Sequence, residues 1–295
     1  MTPLPTALPT DTPARLIPTP GRAVSTPTSP TVTPEATETP LSPPTVESAS
    51  PGISSSPENA WMDLPVLPSP AENVREIYRR GLSLGNNPNA ISIFGDCQAR
   101  PEEFFGIYET DPLALGSLPP ELRDVVNHFH GSFNRESPTT RDGTTPGALL
   151  WTQWHLGRFG CTFAETPVQC ELRIHNPSFV IIQIGTHFES RNTEYLRRII
   201  RQLIENGVAP ILATKADNRE LDHRINRDMA LLASEFNLPL WNFWAALNDL
   251  PNRGLYTRED RPHQGDIYLT AEAQEIQRRT GLEALNIVWR AATGQ

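Results

Sequence analysis

The chain lacks most of the features that would place it quickly in a functional class. It has no basic excess: 25 Lys and Arg face 34 Asp and Glu, a net charge of −9 over 295 residues. A nucleic-acid partner asks for a basic face, so that class is set aside. There is no run of about 18 apolar residues, so no segment reads as a membrane span. Met1-Thr2-Pro3-Leu4 shows no basic stretch followed by an apolar one. The expectation is therefore of a leader or anchor trimmed off or lying upstream of this start. No His-Glu-x-x-His and no Cys-x-x-Cys occurs among the seven histidines and three cysteines. His128 and His130 stand two apart on a predicted helix and so face different sides. Neither a metal nor a cofactor is expected.

What is present divides at residue 70. The first 70 residues hold 17 of the 30 prolines, spaced by Thr, Ser and Ala. Such a segment cannot bury enough apolar surface to offset its ordering entropy, so residues 1–70 read as a disordered or polyproline-like stalk. Residues 71–295 suit one domain with a sizeable core. Cys161 and Cys170 bracket a short polar loop and read as a disulfide clip. Together with the stalk, the clip points to an extracellular or cell-surface location. Cys97 is then left over as a candidate reactive thiol.

Within 71–295, apolar spacing predicts a helix from Ala71 to Leu84 carrying Val74, Ile77, Tyr78 and Leu82 inward, and a short strand over Ile91–Phe94. Pro119-Pro120 opens a helix with Leu122, Val125, Val126 and Phe129 inward. The continuous run Phe179–Ile184 reads as a strand buried on both faces. A helix through Tyr195, Leu196, Ile199, Ile200, Leu203 and Ile204 follows, then a strand over Val208–Ala213. A helix is predicted over Asn218–Phe236 with Leu221, Ile225, Leu232 and Phe236 inward, then a strand over Leu238–Phe243. Thr270 caps a last helix. Strand alternating with helix predicts a parallel sheet with helices on its faces.

Three motifs fall at the carboxyl ends of these strands or near the C-terminus. Gly95-Asp96-Cys97 ends the first strand and would place Cys97 as a nucleophile, its own N–H binding an oxyanion. Gly185-Thr186-His187-Phe188 ends the second, and His187 could offer an N–H to the same pocket. Asp260-Arg261-Pro262-His263 carries a carboxylate three residues before a histidine, a spacing that lets the acid orient the ring. Each also has a plain reading: a buried thiol, a turn, and a charged surface loop, Arg258-Glu259-Asp260-Arg261.

Taken in this order on one predicted sheet, the motifs resemble the SGNH/GDSL hydrolases. The resemblance covers roughly Ala71 to Arg290, and it implies a flavodoxin-like three-layer α/β/α sandwich. Gly95 and Asp96 match the Gly-Asp-Ser block, with Cys97 in the serine's place. Gly185 and Thr186 match the start of the Gly-x-Asn-Asp block, with His187 and Phe188 replacing Asn and Asp. Asp260 and His263 match the Asp-x-x-His block, and Gly143 is the candidate for the second-block glycine. A gapless alignment puts Tyr268 in the histidine's position instead, and a short insertion restores His263, which is preferred.

The resemblance implies a secreted acyl-ester hydrolase, an esterase, lipase or carbohydrate deacetylase. Cys97, His263 and Asp260 would be its triad, and Cys97, Gly143 and His187 its oxyanion donors. Its substrate would be a small-molecule or carbohydrate ester and the protein a monomer. The alternative is an inactive member that binds glycan or a cell-surface polymer. Trp151, Trp154, Trp241 and Trp244 are then candidate stacking residues, although core packing is their plainer role. A nucleophile elsewhere, at Ser132 or Ser137, ranks third, because neither serine follows a predicted strand.

Overall fold

Four apolar runs become a parallel sheet. The computed structural model describes residues 57–69, 72–185 and 193–295. Strands β1 (Asn87–Gly95), β2 (Pro177–Gln183), β3 (Ala209–Ala213) and β4 (Leu240–Trp241) lie side by side in that order, every pair parallel. β2 and β3 are buried at every position, as strands covered on both faces must be.

Beyond the free edge of β1, Thr140 bridges to Gly95 in parallel. Gly95 N–H donates to the Thr139 carbonyl at 3.0 Å, and the Thr139 and Thr140 hydroxyls donate to the Ile93 carbonyl. With this stub counted as a strand, the spatial order is the flavodoxin-like 2-1-3-4-5. The chain leaves β1 on one side and returns on the other at β2. The carboxyl end of β1 is therefore a topological switch point, where open α/β sheets bind ligands.

The helices are α1 (Glu72–Leu84), the short α2 (Ile107–Thr110) and α3 (Pro112–Ser117), α4 (Pro120–His128), one-turn α5 (Pro146–Leu149), α6 (Pro167–Ile174), α7 (Thr193–Glu205), α8 (Arg224–Glu235), one-turn α9 (Phe243–Ala246) and α10 (Ala271–Thr293). α1, α4 and α10 pack together on one face. There Phe179 of β2 stacks on Tyr78 and meets Phe129 edge-on. Residues of the opposite parity point to the other face. Ser92 meets Glu171 of α6 there, and Ile184 lies beside Leu196 of α7 and Ile225 and Met229 of α8. A small antiparallel pair, β5 (Leu255–Tyr256) and β6 (Tyr268–Leu269), stands apart from the main sheet. Cys161 and Cys170 form a disulfide that ties a loop to α6.

Three expectations need correction. The helix predicted from Asn218 begins only at Arg224. Asn218 Oδ1 accepts the His223 N–H at 3.0 Å, and Leu221 and His223 adopt φ of 71° and 52°. Side chains that bond their own backbone in this way compete with helix, and Leu221 is left exposed instead of inward. Leu82 and Tyr195, expected on inward faces, are both 42% exposed.

The third concerns the start of the fold, which lies before residue 71. Pro57–Asp63 forms a 3-10 turn that seats Trp61, only 5% exposed, against Trp244 and His223. Wholly buried Asn242 holds this segment. Its Nδ2 donates to the Trp61 and Leu64 carbonyls, both at 3.0 Å, its N–H donates to the Val66 carbonyl, and its Oδ1 accepts from the Thr214 hydroxyl.

Asn242→Ala strands several of these buried groups at once and is expected to cost about 2–3 kcal/mol of stability. Chemical denaturation measures the loss. Chymotrypsin should then cleave near Trp61 before it cleaves the core, and unchanged resistance there would contradict the anchoring role.

Candidate functional site

Two glycines set the geometry of the switch point. At the end of β1 the chain folds into a one-turn 3-10 helix over Cys97–Ala99, directly above the strand. A Cβ on Gly95 would lie 2.2 Å from the Ala99 Cβ and 3.0 Å from the Gln183 carbonyl oxygen, so only glycine admits this fold-back. Gly185, just past β2, has φ of +132°, and a Cβ there would strike Ile225 at 2.5 Å.

The buried Asp96 carboxylate joins the two strand ends. Oδ1 caps the Cys97 turn by accepting the Gln98 N–H at 3.5 Å, and Oδ2 accepts the Gly185 N–H at 3.3 Å. A buried glutamine relay fixes the turn from behind. Gln98 Nε2 donates to the Ile267 carbonyl at 2.7 Å. Gln277 of α10 donates to both the Gln98 carbonyl and Gln183 Oε1, each at 3.0 Å.

Half-buried Cys97 opens into a cleft lined by Gln98, Arg100, Glu103, Asp142, Tyr256, Arg258, Arg261, Tyr268, Leu269 and Gln274. Burial first, and then the carboxylates of Asp96, Asp142 and Asp217, push the Cys97 thiol far above its ordinary range. The Gln98 N–H favours the thiolate but does not offset this. Cys97 is thus a thiol, not a thiolate, at neutral pH.

Of the other sequence candidates, Tyr268 lines the cleft and His263 does not. His263 is exposed on a 3-10 turn. Asp260, also exposed, pairs with Arg258 through Nε at 3.0 Å and Nη2 at 3.1 Å, and this holds its carboxyl below the usual range. The structure therefore brings Tyr268 to Cys97's cleft and turns Asp260 to an arginine. Gly143, with φ of +81°, follows the cleft residue Asp142. Thr186, His187 and Phe188 lie outside the described residues.

Ser132 and Ser137 are buried beside a different cavity, together with Ser92, Arg135 and Thr140. His175 Nε2 stands 3.3 Å from Ser132 Oγ but 3.1 Å from the Ile91 carbonyl. To satisfy that carbonyl, Nε2 must carry the proton, which leaves no lone pair to activate Ser132. Trp241 is wholly buried in the core. Trp244 packs on Trp61 under the Arg253 guanidinium, Trp154 lies under Arg141, and Trp151 is 53% exposed. His128 stacks on Trp289 and faces the Pro88 carbonyl.

Arg100, Arg258 and Arg261 line the cleft. Sequence reasoning left Arg258 and Arg261 in a charged surface loop, their only signal being proximity to the Asp-x-x-His block, and passed over Arg100, which follows the Gly-Asp-Cys block. A second group escaped notice entirely. Lys215, just past β3, is buried with its Nζ 2.7 Å from Asp217 and 2.5 Å from Glu220, both also buried.

No family model matches the sequence, and no curated protein matches it. Among solved structures, a GDSL-like lipase from Bacteroides thetaiotaomicron aligns at a TM-score of 0.41 and 14% identity, over 72% of this chain and 97% of that one.

The thiol's environment makes a direct prediction. At pH 7 the native protein should react with iodoacetamide at least about tenfold more slowly than free cysteine. The rate should go on rising beyond pH 9, because the thiol's range has moved upward. A rate that levels off below pH 8 would show an activated thiolate instead.

Proposed function

We propose that the chain is a non-catalytic binding module on a hydrolase-like α/β fold, capturing its ligand at the Cys97 cleft. The observation that carries this is the company of Cys97. Among the described residues the cleft offers arginines, tyrosines and carboxylates but no imidazole, and burial, with the nearby carboxylates adding to it, pushes the thiol upward. Nucleophilic catalysis by cysteine needs the reverse, a base or cation that lowers the thiol pKa.

The switch point still supplies a preformed cleft, and the glutamine relay still holds it rigid, so binding needs nothing that is missing. The Cys161–Cys170 disulfide supports an oxidising location. A Pro/Thr-rich stalk ahead of the domain suits display away from a surface.

The test is hydrolysis of 4-nitrophenyl acetate and of acetylated oligosaccharides by the whole chain, beside Cys97→Ala. The expectation is equal, background-level turnover in both. Turnover that disappears with Cys97→Ala would overturn the binding reading and restore a cysteine hydrolase.

A further inference from the structure

We infer that the ligand of this cleft is an anion: Arg258 and Arg261, supported by Arg100, form a site for a carboxylate or phosphate oxyanion carried on the bound molecule. This deepens the binding-module reading and rests on it.

Charge is the first argument. The chain as a whole is acidic, at −9. Its switch-point cleft nevertheless gathers three guanidiniums, Arg100, Arg258 and Arg261, on one lining, beside the carboxylates of Glu103 and Asp142.

Geometry is the second. Tyr256 and Tyr268 are cross-strand partners in the β5–β6 pair, and the segment between them carries Arg258 and Arg261. That segment is braced at its base, where Asp266 accepts from the Thr257 hydroxyl and from Asn252 Nδ2 at 3.0 Å. Arg258 is held from one side by Asp260 through Nε and Nη2. It lies over the Tyr268 ring at 5.2 Å. Arg261 reaches the Tyr268 hydroxyl at 3.5 Å and lies 3.7 Å from Asp142 and 3.8 Å from Asp260. Arg100 is held between Glu102 and Asp142, the latter at 3.1 Å.

These carboxylates orient the guanidiniums without using up their donors. Arg258 Nη1 and Arg261 Nη2 make no hydrogen bond to any described residue. A planar fork held by one edge, with its other donors unspent, is the arrangement that takes an oxyanion. Both side chains are about two-fifths exposed, 41% and 40%, so solvent and ligand can reach them.

A carboxylate could come from a uronic-acid polymer and a phosphate from a phosphodiester polymer, and the test separates the two. The whole chain is titrated calorimetrically with an oligogalacturonate, with inorganic phosphate, and with a neutral oligosaccharide of the same length. One or both anions should bind at millimolar concentration or below, and more weakly as salt rises. Preference between them names the source.

Arg258→Gln with Arg261→Gln should weaken anion binding at least about tenfold, the loss expected for one charge-assisted hydrogen bond. Arg158→Gln, in a loop away from the cleft lining, should leave it unchanged, and unaltered melting temperatures should show that the variants fold. Three results would each overturn the anion site: no anion binding, equal affinity for the neutral sugar, or indifference to the double substitution. Neutral-sugar binding alone would leave the binding-module reading intact. Cys97-dependent ester turnover would remove that reading itself.

Discussion

The rest of the site depends on where one buried carboxylate sits. Asp96 takes an N–H from the turn above β1 and another from the end of β2, so two strand ends are held at a fixed separation by a single side chain. Its charge has a second effect. Together with Asp142 and Asp217 it surrounds the neighbouring sulfur with negative potential, and burial strengthens every such interaction. The residue that builds the frame around Cys97 thus also adds to the effect of burial in disfavouring its thiolate. A serine hydroxyl, neutral throughout, would be far less sensitive to the same field, whereas a thiol is governed by it.

The buried charge behind β3 belongs to the same region. Lys215 stands between two carboxylates, all three removed from water. One cation cannot fully compensate two anions there, and burial pushes the Asp217 carboxyl upward, with Asp96 adding to the effect. Among the described residues, Asp217 Oδ2 and Glu220 Oε1 have no hydrogen-bond partner. The carboxyl ends of β1 and β3 are therefore linked electrostatically across β2. The Lys215 stem also passes 3.3 Å from where a Gly185 Cβ would be, so this crowding helps explain a glycine at the end of the intervening strand.

Much of the architecture was legible because burial imposes a period. Phe179–Ile184 could only be a strand covered on both sides, and the inward stripe Leu196, Ile199, Ile200 and Leu203 could only be a helix resting on it. What escaped was written in hydrogen bonds rather than in hydrophobicity. Asn218 draws its own backbone into a loop, which no apolar pattern announces. Trp61 falls inside the proline-rich tract that read as a stalk, and its partner Asn242 lies 181 residues away. At the site, the position of Cys97 followed from a strand ending in Gly-Asp. The choice between His263 and Tyr268 could not, because it turned on how a short loop folds over a hairpin. The same loop hid the arginines: Arg258-Glu259-Asp260-Arg261 reads as an ordinary solvated charge run until β5 and β6 pair and carry it to the cleft.

The docking of residues 57–66 has a mechanical meaning. Tension arriving along the chain from the proline-rich side meets the Trp61, Leu64 and Val66 carbonyls, bonded in parallel to Asn242, before it meets any strand of the sheet. Asn242 lies immediately after β4, the strand farthest from the cleft. A pull from that side would therefore load the β4 edge of the sheet first, three strands from the end of β1.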